Sequence, residues 1–365
     1  MQGETSIAER AAPRLLFVPV SGPHGMGEYV RSLEIARAAV RHWPDATVHF
    51  ALSRAAPYAT ECPFPHTLLP SSPTFHTPEV AALTEELRPH VVVFDNAGRT
   101  AQLRAARRVG AAVVYVSARA RQRRRAFRWR WLSLIDEHWL AYPEFLSGAL
   151  TPVERLKLRW MHRAPPRYLD VILPASDPAL NAAVLERFRL TQKSFALFVP
   201  GGGTGHPGAL DAVSVFTEAA QALAASGVPT LLVAAPRASG SGTAGALRTA
   251  ARLPLDELTA LLRQARVVVS NGGSTLLQAI ACRAPCIAAA IAKDQSERIR
   301  RCARARVVLP VPLDASAIAS RATALMGDET ARAALVRQAA SLNLADGLQV
   351  ALAGLEAVLG RKRVR

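Results

Sequence analysis

A chain of 365 residues, half of them apolar, exceeds one ordinary hydrophobic core and suits two domains of common size. No apolar run reaches the roughly 20 residues that a membrane-spanning helix needs, and residues 1–14 hold two acids and no apolar signal core, so the expected location is the cytoplasm. The formal charge of +17 attracts polyanions or anionic lipid headgroups unless it only reflects an arginine-rich proteome, and no recognisable nucleic-acid module accompanies it.

Two halves of the chain open with the same syntax. Arg14-Leu-Leu-Phe-Val-Pro-Val predicts a strand, followed by a glycine-bearing turn up to Gly27 and a helix over 28–40. Strands at 47–52, 91–94 and 112–116 alternate with helices at 77–87 and 100–108, a pattern that builds a parallel sheet covered on both faces. The polar, proline-punctuated stretch at 173–193 reads as the junction. Phe195-Ala-Leu-Phe-Val-Pro200 then starts the second half, with a glycine turn to Gly205 and a helix over 210–225. Strands at 230–234, 267–270, 286–290 and 307–309 follow, with helices near 256–264, 275–281 and 294–303, then a helical stretch over 328–358 and a solvated basic tail. The expected organisation is an N-terminal domain 1–175 on the acceptor side, a linker 176–193, a donor-binding domain 194–345, and a final helix and tail 346–365. The expected fold class is α/β, two facing doubly wound domains with an interdomain cleft into which the strand C-termini point.

The strand ending in Ser270-Asn-Gly-Gly-Ser-Thr-Leu-Leu-Gln278 carries the clearest chemistry. Gly272 and Gly273 let an anion approach the backbone, and Ser274 and Thr275 offer hydroxyl and N–H donors at the positive end of a helix, so a diphosphate fits; a plain tight turn is the other reading. Gly202, Gly203 and Thr204 form a second glycine turn of the same sheet, whose N–H groups suit phosphate oxygens, with His206 either beside them or at the surface. The cysteines at 62, 282, 286 and 302 lack zinc-type spacing and read as buried free thiols. No acidic triad of a metal-using enzyme is present, and neither metal nor cofactor is expected.

Segment 119–132 interleaves seven arginines, Arg123, Arg124 and Arg125 among them, with Phe127, Trp129 and Trp131, and contains no acid. Arginine heads beside aromatic rings suit an anionic bilayer interface, which a second basic run at 155–167 with Trp160 extends. An acidic acceptor, RNA, or simple solvation of a helix are the alternatives.

These motifs together resemble the two-Rossmann (GT-B) nucleotide-sugar glycosyltransferases, in particular the group of the lipid-II-forming UDP-N-acetylglucosamine transferase. Ser270 to Gln278, Ala284-Pro285 and Asp294-Gln295 carry the likeness in the second half. It implies that Asn271, Gly272, Gly273, Ser274 and Thr275 hold the donor diphosphate. Gln278 stands where a ribose-binding glutamate is usual, and loses the charge-assisted strength of that contact. Asp294 and Gln295 match an acid-amide pair on sugar hydroxyls, with helix capping by Asp294 as the alternative, and Arg298 replaces a frequent asparagine. Leu255, in Leu253-Pro-Leu-Asp-Glu-Leu258, matches the segment that holds the base, or is an ordinary helix start.

Gly25-Met-Gly-Glu-Tyr-Val-Arg-Ser-Leu33 is similar to the acceptor-side turn of these transferases and of the nucleotide-sugar hydrolase of pseudaminic-acid synthesis, where a histidine is the general base. Gly25, Gly27 and Arg31 keep that pattern, and Glu28 occupies the histidine's place. A carboxylate shielded from bulk water can take the proton of a hydroxyl; His24 is the alternative base, and a Glu28 that only caps its helix and pairs with Arg31 is the structural one. Asp95 either orients the base, binds acceptor, or forms a turn. The implied activity is inverting, metal-independent transfer of a sugar from a nucleotide donor, UDP foremost, to a lipid-linked or glycan acceptor at the cytoplasmic membrane face. Hydrolysis or epimerisation of a nucleotide sugar, and non-catalytic binding to membrane or nucleic acid, are the competing readings.

Overall fold

The computed structural model describes residues 12–23, 25–201, 212–234 and 243–363. Runs such as Val91–Asp95, apolar at successive positions, cannot leave one strand face in water and so become strands covered on both sides. In chain order the first half gives β1 (Arg14–Pro19), α1 (Gly27–His42), β2 (Thr47–Ser53), β3 (His66–Leu69), α2 (Thr77–Leu87), β4 (Val91–Asp95), α3 (Thr100–Arg108), β5 (Ala112–Ser117), α4 (Ala120–Ala126), α5 (Trp129–Leu132), β6 (Glu137–Leu140), α6 (Glu144–Ser147), α7 (Pro152–Trp160) and β7 (Arg167–Tyr168). The remainder gives α8 (Pro178–Arg187), β8 (Ala196–Val199), α9 (Ala212–Ala225), β9 (Thr230–Val233), β10 (Thr243–Ala244), β11 (Leu247–Ala250), α10 (Leu255–Gln264), β12 (Val267–Asn271), α11 (Ser274–Ala281), β13 (Cys286–Ala289), α12 (Lys293–Arg304), β14 (Leu309–Pro310), α13 (Ala315–Gly327), α14 (Glu329–Ser341) and α15 (Gly347–Arg363). None of the described helices is long and apolar enough to cross a membrane.

Among the described residues the strands form two sheets, ordered β3-β2-β1-β4-β5-β6-β7 and β10-β11-β9-β8-β12-β13-β14. Pairing is parallel throughout except between β10 and β11. Each order reverses direction once, between β1 and β4 in the first sheet and between β8 and β12 in the second. Ligands of open α/β sheets bind beyond the strand C-termini at such a reversal, and the two turns singled out by the sequence lie at these two places.

The chain divides into two units. Unit 1 takes the residues up to Ala141, Ala149–Leu169 and everything from Leu348 on, and unit 2 takes Tyr142–Gly148 and Asp170–Gly347. Two sequence expectations differ from this division. The expected linker 176–193 contains α8, whose Asp177 cap and Pro178 at the first helical position are helix-start signals, and Val184 and Phe188 join the core of unit 2. The stretch 328–358 is two helices, and the second, α15, belongs to unit 1, where Gly354 abuts the buried Trp139: a Cβ there would lie 2.8 Å from the indole. In unit 2 the side chains of Val267 and Val269 enter one core cluster and that of Val268 the other, the period of two that a sheet covered on both faces requires.

Candidate functional site

In unit 2, β12 runs into the turn Asn271-Gly272-Gly273 and then α11. Gly273 is the cap residue, and no side chain caps the helix. Asn271 is buried and staples two strand ends: its Nδ2 donates to the Pro200 carbonyl at 2.7 Å, and its Oδ1 accepts the Gly273 N–H at 2.7 Å. Its amide fills the space beside Gly201, where φ is +141° and a Cβ would fall 2.5 Å from Nδ2, so only glycine is accommodated there. Gln295, buried on α12, accepts N–H bonds from Gly272 at 3.0 Å and Ile291 at 3.1 Å through its Oε1. A Cβ at Gly272 would lie 2.8 Å from the Gln295 Cβ and 3.0 Å from Ile299.

This narrows the expected anion cradle. The N–H groups of Gly272 and Gly273 already have internal acceptors, so the donors that remain open are at Ser274 and Thr275, both half-buried and without a hydrogen-bond acceptor among the described residues. Asn271 and Gln295 shape the turn through the oxygens that were expected to face the donor. Asp294 is exposed at the second position of α12, whose cap residue is Ala292, so it is not the helix cap. Gln278, one helical turn into α11, is buried and makes no side-chain hydrogen bond to a described residue. Leu255 is half-buried as the first residue of α10. Gly202, Gly203, Thr204 and His206 lie outside the described residues.

Arg298, which the sequence marked only as the replacement of a frequent asparagine, has a place of its own at the turn. Its guanidinium donates to the Gly272 carbonyl, rests 4.9 Å over the Tyr142 ring, and comes 3.9 Å from Asp294. It brings a permanent positive charge directly behind the glycine turn. Tyr142 reaches it because the segment Tyr142–Gly148, although early in the chain, belongs to unit 2. Below the turn, Cys286 and Cys302 are buried free thiols; burial raises both, Cys302 to about 12, so neither is a nucleophile.

In unit 1 the corresponding reversal holds Glu28, Asp95 and Asn96. Asn96 adopts φ +53°, donates Nδ2 to Glu28 Oε1 at 2.8 Å, and accepts the Ala118 N–H at 2.8 Å. Glu28 is half-buried at the second position of α1, after Gly25 in the left-handed region at φ +74° and Gly27 as the first helical residue. The cap of α1 is Met26, and Arg31 bonds elsewhere, so Glu28 neither caps the helix nor pairs with Arg31. The Tyr58 hydroxyl is raised to about 12, by burial first and the nearby Glu28 charge second. His24 lies outside the described residues.

Asp95 and Arg31 meet each other in the interior, which fits Asp95 orienting the neighbouring Glu28 better than its binding acceptor directly. Arg31 grips both Asp95 oxygens, at 2.8 and 2.7 Å, and the Ser32 hydroxyl adds a long contact at 3.4 Å. Asp95 is 1% exposed, and burial pushes its carboxyl up to about 6 against the pull of Arg31. This pair ties α1 to β4 and so fixes the two residues that flank it in space, Glu28 and Asn96.

The basic-aromatic segment also splits. Arg123 is buried and clamps Glu154 bidentately, at 3.0 and 2.7 Å, with a third bond to the Ala149 carbonyl. That clamp, with the Thr151 bonds, lowers the Glu154 pKa although burial opposes it. Trp131 is buried too, donating to Thr100 at 3.0 Å with Arg125 stacked 5.3 Å above it. Trp129 and Arg124 are exposed.

No protein-family model and no curated protein matches the sequence. Solved structures do match its course. A spinosyn forosaminyltransferase superposes with a TM-score of 0.65 at 15% identity, over 96% of this chain and 100% of that one. An Arabidopsis thaliana UGT complexed with UDP gives 0.63 at 13% identity, over 96% and 99%. A structure titled a putative UDP-N-acetylglucosamine 2-epimerase from Listeria monocytogenes gives 0.59 at 13% identity, over 93% and 94%. The shared property is the fold: this chain carries the two Rossmann-like units of the GT-B architecture.

Proposed function

We propose that the protein is a glycosyltransferase that moves a sugar from a nucleoside diphosphate, UDP foremost, to an acceptor hydroxyl. The observation that carries this reading is the first turn of α11, where Ser274 and Thr275 keep open donors at a sheet reversal with Arg298 immediately behind. Their N–H groups, hydroxyls and the helix dipole would stabilise the charge that grows on the diphosphate as the anomeric C–O bond breaks. Neither metal nor cofactor is needed in this scheme, and the nucleotide sugar is a substrate. Glu28 would accept the proton of the attacking hydroxyl while its oxygen bonds the anomeric carbon from the opposite face, so the configuration inverts. The acceptor would be a lipid or glycan of the cell envelope, met at the cytoplasmic face of the membrane.

Thermal-shift and calorimetric titration with UDP, other nucleoside diphosphates and their sugars test the donor. Stabilisation by UDP that is lost in Thr275→Val is expected, because a ligand bound to the folded state raises its stability. No response to any nucleoside diphosphate would exclude the reading. A second reading, hydrolysis or epimerisation, draws support from the fold likeness to the putative 2-epimerase. Incubation of nucleotide sugars with enzyme alone separates them: free sugar or an epimer formed without acceptor favours the second.

A further inference from the structure

α7 has its apolar face turned the wrong way for a helix that serves a core. Leu158 is its buried residue, packed with Phe127 and Leu132. Val153, Leu156 and Trp160 are 60%, 64% and 73% exposed, and at about 100° per residue they share an arc of roughly 60° on the side opposite Leu158. Trp129, 43% exposed, comes from α5 to meet Trp160 edge to face, ring centres 5.0 Å apart. Lys157 sits 5.3 Å over the Trp129 ring. Arg128 and Arg130 flank Trp129 in sequence, Arg155 and Arg159 share α7 with the apolar three, and Arg124 lies on α4; all five are exposed. The acid within α7, Glu154, points inward to Arg123, so the outer charges are all positive.

We infer that this face of unit 1 is a docking surface for an anionic bilayer, Trp160, Leu156, Val153 and Trp129 entering the acyl boundary while the arginines meet phosphate headgroups. Exposed aliphatic side chains among cations match a medium that is apolar below and negative above. A second copy fits poorly, because a two-fold contact would set this cationic ring against itself. Nucleic acid would satisfy the arginines but has no use for Val153 and Leu156, and Trp129 and Trp160 pack on each other instead of presenting parallel faces to bases. The rigid anchorage of α7 comes from the Arg123–Glu154 clamp and a Thr151–Glu154 capping box, so the apolar side chains stand on a fixed helix.

The inference deepens the proposed membrane-face acceptor and rests on that reading for its purpose, but its test does not pass through sugar transfer. The full chain is floated with vesicles of phosphatidylglycerol in phosphatidylcholine and with phosphatidylcholine alone, across a salt series, while tryptophan emission is recorded. Expected are flotation with the anionic vesicles only, a blue shift, and weakening with salt. Leu156→Glu with Trp160→Glu should abolish flotation while leaving the UDP thermal shift unchanged, and Arg155→Ser with Arg159→Ser should weaken partitioning by about fivefold per charge removed. Absence of flotation at low salt, or unchanged flotation of the double glutamate variant, would overturn the inference. So would self-association or RNA binding that this variant abolishes in a protein that ignores vesicles. A wild-type chain that floats yet shows no UDP response would sink the transferase reading and leave the surface standing.

Discussion

Asn96 holds Glu28 from one side of its amide and the Ala118 backbone from the other, so the candidate base is fixed to two neighbouring strand ends at once. The left-handed backbone at Asn96 is what aims both bonds, and asparagine is among the few residues that adopt it readily. Glu28→Gln should lower kcat by about 10²–10⁴ while the UDP dissociation constant stays within about twofold. Asn96→Ala should give an intermediate loss in kcat with unchanged donor KM, measured by initial rates. Full turnover in Glu28→Gln would remove Glu28 from the base role.

Arg298 is expected to act on donor binding. Arg298→Ala should weaken UDP more than uridine, by about tenfold or more, because in the proposed reading the missing charge would lie behind the diphosphate and not the base. Arg298→Lys should recover little, since a lysine ammonium lacks the flat fork that reaches the Gly272 carbonyl while resting over Tyr142. Calorimetry with the two ligands at several salt concentrations reads the difference.

Gly272→Ala places a methyl group against Gln295 and Ile299, and should cost about 1–3 kcal/mol of stability by overpacking. Gln295→Leu removes the shared acceptor of two N–H groups and should cost a similar amount, about 1–3 kcal/mol. Because both changes act on the same bond, the double variant should be less destabilised than the sum of the singles; additivity in chemical denaturation would argue against a shared lock.

Asp95→Asn should destabilise the chain by about 3–5 kcal/mol, since it breaks a buried, bidentate ion pair by removing its carboxylate. The deficit should appear as a lowered denaturation midpoint before any substrate is added. A variant of wild-type stability that merely loses activity would return Asp95 to the reacting groups.

His138 supplies the pH dependence. Burial, reinforced by the Arg123 charge, drives its pKa down to about 3, and its ring bonds the Ser117 hydroxyl at 2.8 Å. The unfolded chain takes up a proton near pH 6.5 that the folded chain refuses until about 3, so this group's contribution is intact above about pH 6.5 and drains away as the pH falls toward 3. Melting temperatures between about pH 7.5 and about pH 5 should therefore fall more steeply for the wild type than for His138→Gln.

Much of the architecture was legible because strands such as β4 and β12 are apolar at nearly every position and are bounded by glycine turns. β6 escaped notice because Glu137 and His138 look like loop residues; Glu137 is satisfied by Arg167 on β7 and Arg361 on α15, partners remote in sequence. β11, with the sequence Leu-Arg-Thr-Ala, has no periodicity to betray it. At the site, glycines and hydroxyls announced a turn, but nothing local says which amides are already taken. Asn271 takes the Gly273 amide locally, but that Gln295 consumes the Gly272 amide depends on α12 arriving from elsewhere in the chain. The same holds for Arg123 and Trp131, whose neighbours Arg124 and Trp129 have the same chemistry and the opposite exposure.

The return of α15 to unit 1 has a consequence for synthesis. Trp139 waits for Gly354, and the surface that Ala351, Leu355 and Val358 cover stays open until all of unit 2 has been translated. At about 5–20 residues per second this is an interval of order ten seconds or more, in which the earlier-made half stands on the ribosome with its greasy seam unsealed. The half that begins first is thus completed last, and a chain cut short before this helix leaves that half unfinished.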